Sequence, residues 1–216
     1  MVPDTVIFDM DGLLIDSEPY WQEAAVETLQ RFDIMLTMEQ YHFTTGLRTK
    51  EWLEYWFNHF KIDMRHADET GEAIVSKAIE KIRDKAQPMP GVNYILSFFR
   101  EKKFLIGLAT SSPPALIDVV VDKLGIRDFF HAWSSAETLP FSKPHPEVYL
   151  NCAKQLKVSP LQCICFEDSF NGMIAAKAAR MKCVVVPAAD LYAQTKWDAA
   201  DLKLRSLNDW NHDLKD

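Results

Sequence analysis

A short apolar run, residues 6–8, ends in two aspartates one residue apart, Asp9 and Asp11, with Gly12 directly behind. A carboxylate at the end of a buried strand loses its hydration, and only a cation or a dense set of hydrogen bonds offsets that cost. The placement predicts a metal-assisted site in which the two carboxylates have different roles. It also restricts the architecture, because the next strand-like run begins only at Phe104. Between them the periodicity is helical: Trp21, Ala24, Ala25, Leu29 and Phe32 over residues 20–32, a stretch at 50–60 that Thr49 can cap, and another at 72–85. Connections inside compact domains are a few residues long, so an interruption of about 70 residues, 17–87, is expected to be a helical unit.

After Pro88-Met89-Pro90-Gly91 the pattern changes. Helical segments at 92–102, after Pro113-Pro114, at 146–157 and at 169–180 alternate with apolar runs at 104–109, 131–134, 162–166 and 183–186. The tail adds a short strand near 202–204 and a terminal helix. Strands that are apolar throughout and separated by helices imply a parallel sheet covered on both faces. The expected fold class is therefore α/β: a doubly wound, Rossmann-like parallel sheet from residues 1–16 and 88–216, with a helical-bundle cap, 17–87, inserted after the first strand.

In open parallel sheets, ligands bind beyond the carboxyl ends of the strands. Chemistry collects there in this chain. Thr110, Ser111 and Ser112 follow the run at 104–109, Lys143 lies in Ser142-Lys143-Pro144-His145-Pro146, and Glu167 and Asp168 follow the run at 162–166. Singly, each has a plainer explanation as a turn, a helix cap or a solvated cation. Together, all at one sheet edge, they describe a site.

Charge and composition narrow the partners. With 24 Lys plus Arg against 31 Asp plus Glu, the net charge of −7 argues against nucleic acid and anionic membranes. A small anionic substrate is compatible with it, because a local basic site can outweigh the total. No apolar run approaches the roughly 20 residues of a membrane span, and the first strand leaves no room for a signal peptide. Four cysteines lack ligand-like spacing, and Cys163 and Cys165 lie on one face of an extended run too stiff to bridge them. Buried thiols in a reducing compartment are expected, and with them a cytoplasmic protein, monomeric as is usual for a capped enzyme of this size.

Asp9-x-Asp11-Gly12, Thr110, Lys143 and Glu167-Asp168 resemble the four motifs of the haloacid dehalogenase (HAD) superfamily, the Asp-x-Asp form being that of its phosphotransferase branch. The insert resembles the helical cap of the β-phosphoglucomutase-like subgroup. Gly12-Leu13-Leu14-Ile15-Asp16-Ser17-Glu18, Ser142-Lys143-Pro144-His145-Pro146-Glu147 and Asp168-Ser169-Phe170-Asn171-Gly172 are similar to that subgroup too, in wording near the bacterial 2-deoxyglucose-6-phosphate and hexitol phosphatases.

The resemblance implies that Asp9 is the nucleophile, forming an aspartyl-phosphate, and that Asp11 is the general acid and base. It implies Mg²⁺ held by Asp9, the Asp11 backbone carbonyl and Asp168, with Glu167 completing the shell directly or through water. A carboxylate attacks an anionic phosphate poorly unless a cation neutralises the encounter. Thr110, Ser111 and Lys143 would grip the phosphoryl oxygens, which is the positioning and charge stabilisation that phosphoryl transfer needs. Ser169 and Asn171 are expected to cap the following helix and orient the acids. The implied substrate is a small sugar phosphate: a hexose 6-phosphate, 2-deoxyglucose 6-phosphate or an alditol phosphate. Arg48, after Gly46 in a loop between cap helices, is the candidate for substrate contact from the cap. The aromatic stripe of Trp52, Tyr55, Trp56, Phe57 and Phe60 is expected to be mainly cap core. The alternative is a β-phosphoglucomutase-type hexose-phosphate mutase. Those mutases place a histidine at the cap hinge where this chain has Trp21, which favours water as acceptor. A phospho-receiver domain shares the acids, hydroxyl and lysine, but its acceptor lies on a middle strand and it lacks an insert after the first.

Overall fold

The computed structural model describes residues 3–211. Six strands form one wholly parallel sheet: β1 (Thr5–Phe8), β2 (Leu105–Thr110), β3 (Ala132–Ser135), β4 (Cys163–Glu167), β5 (Lys182–Val185) and β6 (Leu202–Lys203), in the order β3-β2-β1-β4-β5-β6. β1 is central, with Phe8 level with Leu108 of β2 and Phe166 of β4. The strand order reverses direction at β1, so its carboxyl end opens onto the crevice where doubly wound sheets hold ligands.

Alternation along each strand supplies both faces. Val6, Phe8, Ile106, Leu108 and Phe166 bury one face beneath α5 (Val92–Glu101) and α6 (Pro114–Leu124). Ile7, Ala109, Cys163, Cys165 and Cys183 bury the other beneath α7 (Glu147–Leu156) and α8 (Phe170–Ala178). Helix α5 shows why: Val92, Ile95, Leu96 and Phe99 recur at helical spacing, and burying each stabilises the fold by about 1.5–3 kcal/mol. All four cysteines are free and buried.

Between β1 and Pro88 the described chain is helical: α1 (Glu18–Leu29) and a 3-10 turn to Phe32, α2 (Met38–Thr44), α3 (Thr49–Phe60) and α4 (Ala67–Lys85). Helix α4 begins five residues before the expected 72 and packs on α1, its Ile74, Ala78 and Ile82 buried at four-residue intervals. Trp52, Trp56 and Phe57 are buried, while Tyr55 is exposed. No helix among the described residues is long and apolar enough to cross a membrane.

Two local expectations need correcting. Thr49 does not cap α3; Arg48 occupies the N-cap position with extended backbone and no side-chain cap bond, because its guanidinium is engaged elsewhere. Among the described residues the tail forms a 3-10 turn, Leu207–Asp209, rather than a helix, since Trp210 packs edge-on to Phe166 and against Phe99 and so ties the chain to the sheet. Residues 212–216 lie outside the described part.

Candidate active site

Asp9 directly follows β1, and Asp168 follows Glu167, the last residue of β4. The two strands are neighbours, so one carboxylate oxygen from each of Asp9, Glu167 and Asp168 falls within 4.8 Å of the other two. Three oxygen donors so close, with no nitrogen or sulfur ligand among them, suit a hard divalent cation. Lys143 reaches into the same group from the loop before α7: its Nζ donates to Asp9 Oδ1 at 2.6 Å and to Glu167 Oε1 at 2.5 Å. Gly12 completes the packing. Its φ of +70° is left-handed, and a Cβ there would overlap the Asp168 carboxylate.

The electrostatics follow from burial. Loss of solvent pushes Asp9 up to about 8, with Lys143 opposing and Glu167 and Asp11 adding to the rise. Burial, then Asp9 and Glu167, hold Asp168 well above the ordinary carboxylate range. Burial alone would lower Lys143, but Asp9 and Glu167 outweigh it and hold the ammonium above its usual range. Glu167 is fully buried. Its Oε1 also accepts from the Tyr149 hydroxyl, and its Oε2 accepts from the Ser169 amide and hydroxyl.

Asp11 points the other way. Its Oδ1 accepts from Ser17 Oγ at 2.7 Å and Trp21 Nε1 at 3.0 Å; its Oδ2 accepts from Ser112 Oγ at 2.7 Å and Thr110 Oγ1 at 3.3 Å. Its side chain is thus outside the acidic triad, and any part it has in holding a metal falls to its backbone carbonyl. Thr110 ends β2 and its Oγ1 also accepts from the Ser112 amide, a local turn that aims both hydroxyls at Asp11.

A cleft joins these groups to the helices inserted after β1, enclosing about 700 Å³ with its open mouth, in the range of small-molecule sites. Asp9, Asp11, Thr110, Ser111, Lys143 and Asp168 line its sheet side. The loop between α2 and α3 covers it. Ser111 Oγ donates to Gly46 O at 2.7 Å and Asn171 Nδ2 to Thr45 O at 2.9 Å, and Gly46, at φ +89°, packs so near Ser169 that a Cβ would collide. Ser169 caps α8 through the Gly172 amide, whereas Asn171 does not cap it. Arg48 lines the cleft, yet its guanidinium donates to the carbonyls of Ala136, Leu139 and Pro140 and pairs with Glu51 at 3.1 Å. It ties the loop to the sheet domain.

Sequence reasoning passed over five participants: Ser17 and Trp21 as donors to Asp11, Tyr149 on Glu167, and Glu18 and Tyr41 in the cleft wall. Burial, then Asp11 and Asp9, push Glu18 up to about 8; burial, then Glu18 and Asp11, hold the Tyr41 phenol above its usual range. An acid directly after the Asp16-Ser17 pair was the available signal for Glu18.

A parallel sheet of this order carries acids, hydroxyls and a lysine at its carboxyl edge, and the sequence places that arrangement in a class of hydrolytic enzymes. The profile of the haloacid dehalogenase-like hydrolase family matches residues 6–186, and the chain belongs to that family. It is 40% identical over 204 residues to hexitol phosphatase B of Escherichia coli K12, covering 94% of this chain and 92% of that protein. Among solved structures it is similar to β-phosphoglucomutase from Clostridium difficile, with a TM-score of 0.82 and 28% identity over 97% of this chain and 93% of that one. The same fold is seen in CbbY from Rhodobacter sphaeroides in complex with phosphate, with a TM-score of 0.86 at 22% identity over 97% and 96% of the chains.

Proposed function

We propose that this protein is a Mg²⁺-dependent phosphatase of small sugar phosphates, namely hexose 6-phosphates, 2-deoxyglucose 6-phosphate or alditol phosphates, acting as a cytoplasmic monomer. The observation that carries this is the division of labour between Asp9 and Asp11. Asp9 faces Asp168 and Glu167 with Lys143 on its carboxylate, while Asp11, two residues on, is held on the opposite side by four donors. A nucleophile and a proton carrier need that separation. The 40% identity to a hexitol phosphatase supports the substrate class.

A divalent cation held by Asp9, Asp168 and the Asp11 carbonyl would neutralise the approach of two anions. Asp9 attacks phosphorus as the sugar oxygen leaves, and Asp11 gives that oxygen its proton. Asp11 then takes a proton from the water that cleaves the aspartyl-phosphate, restoring both acids. Lys143 fixes the Asp9 carboxylate, and with Thr110, Ser111 and nearby amides it binds the phosphoryl oxygens. Residues 17–87 serve as a lid over the domain made by 1–16 and 88–216, excluding bulk water during transfer. Mutase chemistry would use the same core with a sugar hydroxyl as acceptor. Trp21 disfavours it, because an indole N–H donates only and cannot carry a proton to or from that hydroxyl.

Purified protein assayed on a phosphosugar panel should release inorganic phosphate with Mg²⁺ and lose activity in EDTA. Asp9→Asn should abolish turnover; substantial Mg²⁺-dependent hydrolysis by that variant would refute the assignment. Stoichiometric conversion of β-glucose 1-phosphate to glucose 6-phosphate without phosphate release would establish the mutase instead.

A further inference from the structure

The half of the cleft away from Asp9 is built unlike the half that holds the acidic triad. Trp21, Ala25, Leu47, Trp52 and Ile74 give it an apolar wall. Polar side chains interrupt that wall: the Thr44 and Thr45 hydroxyls are spent on the Gln40 and Tyr41 carbonyls, whereas the Glu18 carboxyl and the Tyr41 hydroxyl make no hydrogen bond to another described residue. Both are half-buried and reach the cleft, so both are free to bond a group that enters from it. The cations lining the cleft are Lys143 and Arg48. Lys143 is bound between Asp9 and Glu167, and both terminal nitrogens of Arg48 are engaged by three carbonyls and Glu51, while its remaining donor, Nε, is buried.

From this we infer that the leaving-group half selects a neutral, hydroxyl-rich group, its hydroxyls bound by Glu18 and Tyr41 and its C–H faces packed on Trp21 and Trp52, and that it rejects a second phosphate. The inference rests on the phosphatase function proposed above. A sugar or alditol hydroxyl both donates and accepts, so it pairs with a carboxyl and a phenol at once. Alternating C–H and O–H edges suit a wall that is mostly apolar with two free polar points. A second phosphate placed there would give up its hydration against a mostly apolar wall with no free guanidinium or ammonium to receive it, and an unpaired anion taken out of water costs several kcal/mol. The site is therefore fitted to a monophosphate, which also removes the bisphosphate intermediate on which a mutase depends.

The test compares kcat/KM for a hexitol 6-phosphate, the matching hexitol 1,6-bisphosphate and 4-nitrophenyl phosphate. The wild type should prefer the monophosphate to the bisphosphate by about 100-fold or more. Glu18→Lys, which supplies the missing cation, should narrow that gap by about tenfold, and Glu18→Ala and Tyr41→Phe should each lower the hexitol-to-nitrophenyl ratio by roughly 10- to 100-fold through lost hydrogen bonds. Equal use of mono- and bisphosphate by the wild type, or unchanged ratios in variants whose thermal midpoints show them folded, would overturn the inference. Should the Glu18 variants fail to fold, the wild-type comparison and Tyr41→Phe decide it. An enzyme that cleaves 4-nitrophenyl phosphate without these preferences refutes only the leaving-group assignment. One that cleaves no phosphomonoester refutes the phosphatase function and this inference with it.

Discussion

Replacing Lys143 with methionine removes the ammonium that sits among Asp9, Glu167 and Asp168 while keeping most of the side chain's apolar body. The Lys143 side chain is 1% exposed and that of Glu167 0%, so the pair is buried. Deleting one partner of such a buried pair costs about 3–5 kcal/mol. The loss depends on pH in a definite direction. Asp9 already titrates near 8 against about 3.9 in an unfolded chain, and without Lys143 it moves higher still. From about pH 4 to pH 8 the native wild type and variant both keep a proton that the unfolded chain has lost, so both lose stability in parallel; above pH 8 the wild type releases that proton while the variant keeps it, and the gap between them widens. For a 216-residue chain each kcal/mol is worth roughly 2–4 °C, so the metal-free variant should melt roughly 6–20 °C below the wild type at pH 8. Between pH 5 and pH 7 the gap should stay constant, and at pH 9 it should be larger. Scanning calorimetry in EDTA at these three pH values measures it, and millimolar Mg²⁺ should narrow the gap at pH 9 by supplying positive charge. A gap no larger at pH 9 than at pH 7 would mean that Lys143 acts through packing, and the electrostatic account would fail.

Trp21→Phe keeps the ring in the cleft wall but removes one donor to Asp11; kcat should fall roughly 10- to 100-fold, as for a hydrogen bond to a charged group, with KM little changed. A raised KM at constant kcat would instead make Trp21 a substrate contact only. Gly172→Ala would drive a Cβ into the fully buried Glu167 carboxylate, so the thermal midpoint should drop by the equivalent of at least about 1–3 kcal/mol; a midpoint within error of the wild type would contradict the packing described. In the metal-free wild type, Asp9 and Glu18 near 8 make stability decline from about pH 4 to 8, and a divalent cation should raise the midpoint more at pH 8 than at pH 5, because holding it displaces protons. Equal cation shifts at both pH values would exclude the buried acids as its ligands.

The strand-end chemistry was legible because each part carries its own local signature. Asp9, Thr110 and Glu167-Asp168 each follow or close an apolar run, and parallel pairing of those runs brings them to one edge without further information. The helical insert was legible for the same reason, apolar residues at 3.6-residue spacing following a continuous apolar run. Ser17, Tyr149 and Tyr41 were not. A lone hydroxyl on a helix has no pattern, and what it touches is set by how that helix docks. Arg48 shows the limit best: its spacing from Gly46 placed it at the cleft, but its partners are carbonyls 88 to 92 residues further along, which no local pattern reveals. The tail failed differently, since Leu207 and Trp210 stand at helical spacing while the aromatic cluster of Phe99 and Phe166 decides where Trp210 goes.

Five carboxyl groups surround or support one cleft, and the fold treats them unequally. Asp11 receives four donors, and Glu167 receives Lys143, Tyr149 and both donors of Ser169. Among the described residues the Asp9 side chain has Lys143 alone, and those of Asp168 and Glu18 accept no hydrogen bond. A satisfied carboxylate is held in one pose and has little to gain from a ligand. An unsatisfied one costs stability until something enters to meet it. By that division Glu167 positions Lys143 and the start of α8, whereas Asp9 and Asp168 present free oxygens on the phosphoryl side. Glu18 presents its own on the sugar side. Burial pushes Asp9, Glu18 and Asp168, the unsatisfied groups, away from ordinary acidity, so on the function proposed above the strain of assembling this site would be relieved by substrate and cation rather than by the protein itself.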